Sequence, residues 1–520
     1  MIEQNHFEKI LIVDFGGQTT QLIARKIREL GVYCEIISCF KSHEIKNDFN
    51  LKGIILSGGP LTVTKKKFVG VPKNIFSFNK PILGICYGHQ IIAKVYGGSV
   101  KNENRSEFGK KILFKKNFSE LTKNFFSKKN YTQVWMSHTD VVDKLPKNFK
   151  IIGSTREFKN AAIENKSLKI YGVQFHPEVF HTIKGKILIK NFILNICKCR
   201  KLWNVKNQTI FLIQSIKKKV KNNKVLCALS GGVDSSVLAM LLKRALGKKL
   251  ICMFINNGFL RKNEAIDVIN SFKINNKINL KYIDASHIFF KAIKNISDPE
   301  KKRKVVGKTF IKIFETEAKK LKNIKFLAQG TLYPDIIESK SFHGGPSSLI
   351  KSHHNVGGLP RKMNFILIEP FKELFKDEVR CIGKSLNVSK NILNRHPFPG
   401  PGLSIRIIGK VSYEKVRILQ DADDIFISEL KKRNLYNKIW QAFAVLTPIK
   451  TIGVMGDMKT YDFLCSLRAV TSTDGMTADI FNFKNSDLKE ISTLIINSVK
   501  GINRVVYDIT SKPPSTIEWE

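Results

Sequence analysis

A run of small and acidic residues near the middle of the chain has the composition of a phosphate-binding loop. Residues 230–236 read Ser-Gly-Gly-Val-Asp-Ser-Ser, between an apolar run at 225–229 and an apolar, helix-forming run at 237–242. This order predicts a buried strand, a turn and a helix. Glycine lets backbone N–H groups approach a ligand closely, and the free N–H groups at a helix N-terminus favour phosphate. The candidate ligand residues are Ser230, Gly231, Gly232, Val233, Asp234, Ser235 and Ser236.

The polar side chains of this loop also have predicted roles. The Asp234 carboxylate is suited to hold Mg²⁺ beside a phosphate, because Mg²⁺ prefers oxygen ligands. We expect Ser235 and Ser236 to cap the helix through their hydroxyl groups. The loop lacks the Gly-Lys-Ser/Thr ending of a Walker A loop. The alternative is a Ser- and Gly-rich turn that precedes a helix and binds no ligand.

At these residues the chain resembles the ATP pyrophosphatase family. The resemblance implies that ATP is cleaved between its α and β phosphates and that a carbonyl oxygen of a second substrate is adenylated. It also implies that a nitrogen or sulfur nucleophile then displaces AMP. The residues by themselves predict only a cradle for pyrophosphate.

A cysteine in the first part of the chain has the surroundings of a nucleophile. Residues 84–88 read Gly-x-Cys-x-Gly, the spacing of a sharp strand-to-helix turn that exposes the side chain of its central residue. Downstream, His176 can take the proton of the Cys86 thiol, and Glu178 can orient the imidazole ring. For Cys86 alone a buried structural role is the better interpretation. Its combination with His176 and Glu178 favours catalysis instead.

These motifs together resemble the class I glutamine amidotransferase family, which residues 58–60, 84–90 and 174–178 match. The resemblance implies that Cys86 attacks the side-chain amide of glutamine, that ammonia leaves and that water hydrolyses the thioester. We expect backbone N–H groups near Gly59 and Tyr87 to hold the oxyanion.

Two positions depart from the patterns of these families. Residues 14–18 read Asp-Phe-Gly-Gly-Gln, where Ser is commoner than Gly17. We expect this departure to affect a turn and not the chemistry. The pyrophosphatase family usually has Asp where this chain has Asn256, so no role is transferred to that residue.

The order of elements predicts an α/β fold. Apolar strands alternate with helices from residue 9 to residue 331, which is typical of mainly parallel sheets. We therefore expect an amidotransferase domain at residues 1–199 and an ATP pyrophosphatase domain at 200–395, each with a mainly parallel sheet. The turn-rich segment 396–402 leads into a third domain, residues 396–520. A helix at 413–432 and strands at 452–455 and 505–509 predict that this domain is α+β.

Three further strings of residues, 330–339, 351–360 and 512–520, are similar to the GMP synthase family. The resemblance implies that XMP, the monophosphate of xanthosine, is the adenylated substrate and that channelled ammonia displaces AMP. It also implies that Lys376 contacts an ATP phosphate and that the C-terminal domain forms a homodimer. By the same resemblance, the contacts to XMP are made by Arg303, Gln441, Lys512 and Glu518.

Some of these segments also allow other interpretations. Arg303 follows Asp298 at the start of a basic helix, and a solvated charged face is the alternative there. His353 and His354 could suggest a metal site, but further spaced ligands are missing, so we favour a mobile lid. Another glutamine-dependent synthetase with the same ATP chemistry, such as one that makes NAD, is the alternative within the enzyme class.

The composition limits the remaining classes of function. The net charge of +45 in 520 residues raises nucleic-acid binding as an alternative. However, Lys is spread along the chain together with abundant Asn, Ile and Phe, as A/T-rich codons would supply, and no nucleic-acid-binding motif is present.

No segment has the uninterrupted apolar length of a membrane span, and the start of the chain has no signal pattern. Nine scattered cysteines favour a reducing cytoplasm.

Overall fold

The computed structural model describes residues 7–64, 69, 73–321, 323–333, 365–455, 458–472, 475 and 477–520 of the chain. It divides into two units, Met1–Gln208 and Thr209–Glu520. Each unit has its own sheets and its own candidate site. In the part of the chain that the structure describes, no helix is both long and apolar enough to cross a membrane.

The first unit is built on one nine-stranded sheet. Its strands are β1 (Lys9–Asp14), β2 (Tyr33–Ser38), β3 (Leu51–Leu56), β4 (Ile82–Ile85), β5 (Ser99–Lys115), β6 (Tyr131–Lys144), β7 (Lys150–Ser154), β8 (Ala162–Asn165) and β9 (Ile170–Val173). Their spatial order is β2-β1-β3-β4-β9-β8-β7-β5-β6. The first five strands in this order, from β2 to β9, are parallel to one another. Each of the remaining strands is antiparallel to its neighbours. The carboxyl ends of the five parallel strands therefore share one edge.

The helices of the first unit are α1 (Thr20–Glu29), α2 (Tyr87–Val95) and α3 (Gly185–Lys190). Every residue of β4 and β9 is buried, as expected for parallel strands in the middle of a sheet. Helix α1 ends just before Gly31, whose φ of 81° stops the helix.

The second unit begins with a five-stranded sheet in which all strands are parallel. Its strands are β10 (Lys224–Ala228), β11 (Leu250–Asn256), β12 (Leu280–Asp284), β13 (Ile324–Ala328) and β14 (Ile366–Ile368). The spatial order is β12-β11-β10-β13-β14. The strand order thus reverses between β10 and β13, which creates a crevice at their carboxyl ends.

The helices around this sheet are α4 (Val205–Val220), α5 (Val233–Leu246), α6 (Glu264–Ile269), α7 (Ser286–Ile293), α8 (Pro299–Lys319), α9 (Lys376–Ser385) and α10 (Lys390–Leu393). Helix α8 is the predicted basic helix. The Asp298 carboxylate accepts a hydrogen bond of 2.7 Å from the Lys301 N–H, and Pro299 occupies the first helical position.

The last part of the second unit is the expected α+β arrangement. It contains β15 (Gln441–Met455), β16 (Met458–Thr471), β17 (Asp479–Ile480), β18 (Ile502–Tyr507), α11 (Tyr413–Lys432) and α12 (Asn485–Ser498). Strands β15 and β17 are antiparallel to β16, and β18 is parallel to it. Helix α11 has the predicted bounds. Strand β15 is much longer than the predicted 452–455.

One apolar core joins both sheets of the second unit. It includes Leu226 of β10 and Leu327 of β13, and also Leu419 of α11 and Ala442 of β15. The predicted α/β class is confirmed. The five-stranded sheet of the second unit is parallel throughout, whereas the nine-stranded sheet of the first unit is mixed, with four parallel and four antiparallel pairings. The two predicted domain boundaries, 199/200 and 395/396, stay predictions.

Candidate active site

Cys86 occupies the turn between β4 and α2. Its φ of 52° and ψ of −104° lie outside the regions that non-glycine residues ordinarily adopt. Two glycines make this turn possible: a Cβ atom on Gly84 would collide with the backbone of Gly88, and one on Gly88 would collide with the backbone of Leu56. Strained turns of this kind direct a nucleophilic side chain. The Gly-x-Cys-x-Gly spacing therefore corresponds to an elbow in the structure.

His176 lies just beyond the end of β9, and its Nδ1 atom is 2.7 Å from Glu178 Oε1. Both side chains are buried. Burial lowers the pKa of His176, but the Glu178 carboxylate and a hydrogen bond with Cys86 outweigh it and raise the pKa well above its ordinary value. The backbone at this point is fixed, because the Thr182 hydroxyl donates a 2.6 Å hydrogen bond to the His176 carbonyl. The structure thus brings the three predicted catalytic residues together as one triad.

The two predicted oxyanion residues flank this triad. A Cβ atom on Gly58 would lie 3.1 Å from His176 Cε1 and 3.5 Å from Cys86 Cβ, so the loop after β3 passes directly beside both side chains. Gly59 is the next residue in that loop. Tyr87 is the first residue of α2, where backbone N–H groups have no partner within the helix. The segments that carry Gly59 and Tyr87 therefore both lie beside Cys86, and their role as oxyanion donors stays a prediction.

Gly17 packs against the same loop. A Cβ atom at this position would lie 2.5 Å from the carbonyl oxygen of Gly58 and 3.0 Å from its carbonyl carbon. Any larger residue must therefore displace the backbone beside Cys86. The expectation that this position affects a turn and not the chemistry stays a prediction, which a substitution at Gly17 can test.

Two contacts of Cys86 were not anticipated from the sequence. The Gln174 side-chain amide donates to Cys86 Sγ at 3.7 Å, and the thiol is 3.7 Å from the carbonyl oxygen of Ser137. Gln174 belongs to the motif that supplies the His and the Glu, so its position in the sequence was a usable signal. Ser137 contributes a backbone atom, which no sequence pattern reveals.

In the second unit, the predicted nucleotide loop joins β10 to α5. Gly231 has a φ of 76°, and the Ser230 and Ser235 hydroxyl oxygens are 2.9 Å apart. The predicted capping by Ser235 and Ser236 is wrong, because α5 begins at Val233 and the capping position is held by Gly232. Ser235 instead donates to the Gly232 carbonyl at 3.2 Å, and Ser236 is buried.

Asp234 lies in the first turn of α5, with its Oδ2 atom 3.9 Å from the Nζ atom of Lys376. Lys376 begins α9. A Cβ atom on Gly330, which follows β13, would lie 3.3 Å from the Asp234 backbone. The segments after β10 and β13 therefore meet where the strand order reverses, which is the usual ligand site of such sheets.

The donor set here fits a magnesium ion that is held mainly by phosphate. Among the described residues, no group of three or more His, Cys, Asp or Glu could hold a metal ion alone. Mg²⁺ usually takes one or two protein carboxylates and completes its shell with phosphate oxygens and water. Asp234 beside the loop supplies one such carboxylate.

The sequence did not point to Arg395, which fixes the nucleotide loop from outside. Its Nη1 atom donates to the Gly231 carbonyl at 2.9 Å, and its Nη2 atom pairs with Glu264. Neither residue lies in a recognisable motif, and long-range pairs of this kind leave no local signal.

The last residues of the chain are anchored by cations and an amide. The Glu518 carboxylate accepts hydrogen bonds of 2.9 and 3.1 Å from the fully buried Arg406. Gln441 Nε2 also donates to Glu518, at 2.6 Å. Arg303 donates to the backbone carbonyl of Glu520, whose carboxylate pairs with the buried Lys302.

Of the four residues predicted to contact XMP, Gln441 and Glu518 touch each other, and Arg303 contacts the same tail. Lys512 lies elsewhere on the tail, where its Nζ atom donates to the Gly475 carbonyl at 2.9 Å. The predicted lid and its residues His353 and His354, in segment 351–360, lie outside the described residues, as do residues 334–339.

Comparison with known families and proteins gives matches along the whole chain. The family models of "Glutamine amidotransferase class-I", "NAD synthase" and "GMP synthase C terminal domain" match residues 11–196, 204–307 and 428–519. A GMP synthase [glutamine-hydrolyzing] from Brachyspira hyodysenteriae is 52% identical over 517 residues, which is 99% of this chain and 100% of the relative. The protein of the same name from Sinorhizobium fredii is 49% identical over 520 residues, which is 100% of both chains. The one from Brucella ovis is 50% identical over 513 residues, which is 99% of both chains.

Proposed function

The chain belongs to the glutamine-hydrolysing GMP synthase family, and from this premise we propose which of its residues carry each part of the reaction. It is a glutamine-dependent ligase of purine biosynthesis that uses ATP, glutamine and XMP to make GMP. The overall change converts ATP, XMP, glutamine and water into AMP, pyrophosphate, GMP and glutamate.

The first unit is proposed to release ammonia from glutamine. His176 takes the proton of Cys86, and the thiolate attacks the side-chain amide carbon. The N–H groups of Gly59 and Tyr87 hold the oxyanion, and His176 returns its proton to the departing ammonia. The observation that carries this proposal is the buried contact of 2.7 Å between His176 and Glu178, beside a strained cysteine. Water then hydrolyses the thioester to give glutamate.

The second unit is proposed to adenylate XMP. Residues 230–236 cradle the pyrophosphate part of ATP through backbone N–H groups, and Lys376 contacts a phosphate oxygen. Asp234 would hold Mg²⁺, which when bound supplies positive charge that screens the phosphates. The 3.9 Å separation of Asp234 and Lys376 supports one shared phosphate site.

Four residues near the end of the chain are proposed to bind XMP. Arg303 and Lys512 supply positive charge, while Gln441 and Glu518 supply polar groups for the base or ribose. The C2 oxygen of XMP is adenylated with release of pyrophosphate. Ammonia from the first unit, channelled inside the protein, then displaces AMP and leaves GMP.

The chain is further proposed to act as a cytoplasmic homodimer with the domains 1–199, 200–395 and 396–520. Exposed apolar side chains on β15 and β16, among them Ile452, Val454 and Tyr461, support a contact between two copies of the last domain. All nine cysteines are free thiols, which is consistent with a reducing compartment. Light scattering of the purified chain measures the assembly directly.

The test of the whole proposal is a product balance. Purified chain is supplied with ATP, Mg²⁺, XMP and either glutamine or ammonium, and AMP, pyrophosphate and GMP are measured. We expect equal amounts of the three products with both nitrogen sources. Formation of AMP that does not depend on XMP, or that proceeds equally with nicotinate-containing acceptors, would contradict it.

A further inference from the structure

Three arginines of the second unit converge on the ring of Phe398. The guanidinium carbon atoms of Arg406, Arg261 and Arg395 lie 5.0, 5.3 and 5.4 Å from the ring centroid. Significant cation–π contacts occur only about once per 70–80 residues, so three on one half-buried ring form an unusual cluster. Like charges repel, and this arrangement therefore needs compensation.

Each guanidinium group also donates hydrogen bonds to a different part of the synthesis site, by which we mean the nucleotide loop 230–236, the tail 512–520 and the start of β15. Arg395 donates to the Gly231 carbonyl of the nucleotide loop at 2.9 Å. Arg406 makes the double hydrogen bond to Glu518 of the tail. Arg261 donates to the carbonyl of Ala442, next to Gln441, at 3.2 Å. The nucleotide loop, the tail and the start of β15 are thus all connected to one ring.

The charges of this cluster balance in pairs. Arg395 pairs with Glu264, Arg261 lies 3.3 Å from Asp423, and Arg406 pairs with Glu518. Burial lowers the pKa of Arg261, as do its charged neighbours Arg406 and Arg395, while Asp423 opposes the change. Each cation thus has its own carboxylate, and the ring of Phe398 is a group that all three guanidinium groups contact, while Arg406 also lies 4.1 Å from the ring of Phe443.

We propose that Phe398 is a positioning residue for GMP synthesis, which aligns the nucleotide loop with Gln441 and Glu518 through the three guanidinium groups on its ring. This inference rests on the proposed assignment of the loop to ATP and of Gln441 and Glu518 to XMP. Adenylation requires two bound nucleotides to meet in one geometry, so a platform shared by both sites affects both together.

The test compares three single variants in ammonium-driven synthesis, with kcat and KM measured separately for ATP and XMP. Phe398→Leu keeps an apolar side chain but removes the π-face, and we expect kcat/KM to fall about tenfold or more for both nucleotides. Phe398→Tyr keeps the ring and should stay within about threefold of the parent chain. Phe310→Leu is the matched control, because Phe310 is a half-buried ring of the same unit that packs on Phe314. Equal effects of the two Leu variants, or a loss for only one nucleotide, would overturn the inference.

A double-mutant cycle tests the same point without removing the ring. If Phe398 links the two sites, the losses caused by Arg395→Lys and Arg406→Lys in kcat/KM should be non-additive by about threefold or more. Additive losses would contradict the link, even if Phe398→Leu did not fold. Failure of this inference can be distinguished from failure of the proposed function. If the proposed function were wrong, the parent chain itself would make no GMP from XMP, ATP and ammonium.

Discussion

The cysteine elbow of the first unit and the nucleotide loop of the second are both turns from a parallel strand into a helix, but they are built differently. At the elbow, Cys86 itself takes the positive φ, and His176 and Glu178 are already hydrogen-bonded in a buried triad. In the nucleotide loop a glycine takes the positive φ, and the charged groups Asp234 and Lys376 remain 28% and 42% exposed. The strain at the elbow costs on the order of 1–3 kcal/mol, which the surrounding packing must offset.

This difference has a chemical reason. The amidotransferase site needs one activated thiol, and the protein can prepare that thiol before any substrate arrives. The synthesis site must receive a triphosphate whose own charges complete it, so its cations stay accessible. We infer that the first site depends mainly on two short motifs, residues 84–88 and 174–178, and the second on single residues from many distant parts of the chain.

The largest effect is expected for Cys86→Ala, which should abolish the activity of the first site and leave that of the second. Cys86→Ala should reduce glutamine-driven GMP formation at least about 10³-fold, because the nucleophile is lost. Ammonium-driven synthesis should remain within about threefold of the parent chain, since the nucleotide loop is untouched. Both rates are measured by GMP formation at saturating XMP and ATP. A parallel loss of ammonium-driven synthesis would contradict the division of labour.

The reciprocal change is Asp234→Ala in the nucleotide loop. We expect GMP formation to fall about 10²- to 10³-fold with either nitrogen source, because a charge that faces the phosphates is removed. Glutamate release from glutamine should survive at least in part. Asp487→Ala, which removes a carboxylate that pairs with Arg433 in the last part of the second unit, is the control. Near-normal GMP formation by the Asp234 variant would exclude the proposed phosphate site.

The same comparison explains what could be predicted from the sequence. The elbow and the His-x-Glu pair each lie within one short motif, so the patterns of residues 84–88 and 174–178 predicted them, although the two motifs are far apart in the chain. The supports of the synthesis site were missed because Arg395 meets Gly231 across 164 positions and Arg406 meets Glu518 across 112. Such pairs depend on how sheets and helices pack, and arginine has no local signature. The capping error at Ser235 has a similar cause, since a Gly at the capping position gave no polar signal.

Deletion of the tail tests whether the synthesis site includes residues 512–520. Deleting residues 512–520 should reduce XMP-dependent AMP formation about 10²-fold with glutamine and with ammonium, because it removes two proposed XMP contacts. Arg406 and Arg468 would lose partners, so folding must be checked by circular dichroism. Alkylation of Cys86 should proceed as before. A truncated, folded chain within about threefold of the parent would show that the tail is dispensable.

Glu178→Gln tests the electrostatics of the triad. Removing the carboxylate should lower the pKa of His176, which is now raised, and reduce glutamine-driven synthesis about 10- to 10²-fold. A raised pKa in the folded chain stabilises the fold fully below about pH 6.5, and this contribution is lost as the pH rises through the folded pKa. The stability difference between parent and variant should therefore be largest in acid and shrink above neutral pH. An NMR titration of labelled histidine measures the pKa, and an unchanged value in the variant would contradict this account.

The smallest expected effect concerns the loop beside the elbow. Gly17→Ser adds a Cβ atom 2.5 Å from the Gly58 carbonyl oxygen, so the backbone beside Gly59 must shift to admit it. We expect glutamine-driven synthesis to fall about three- to tenfold, because displaced oxyanion donors stabilise the transition state less well. Ammonium-driven synthesis should not change. Gly17→Ala should behave like Gly17→Ser, since both add the same Cβ atom; a normal rate for the Ala variant alone would assign the effect to the hydroxyl group.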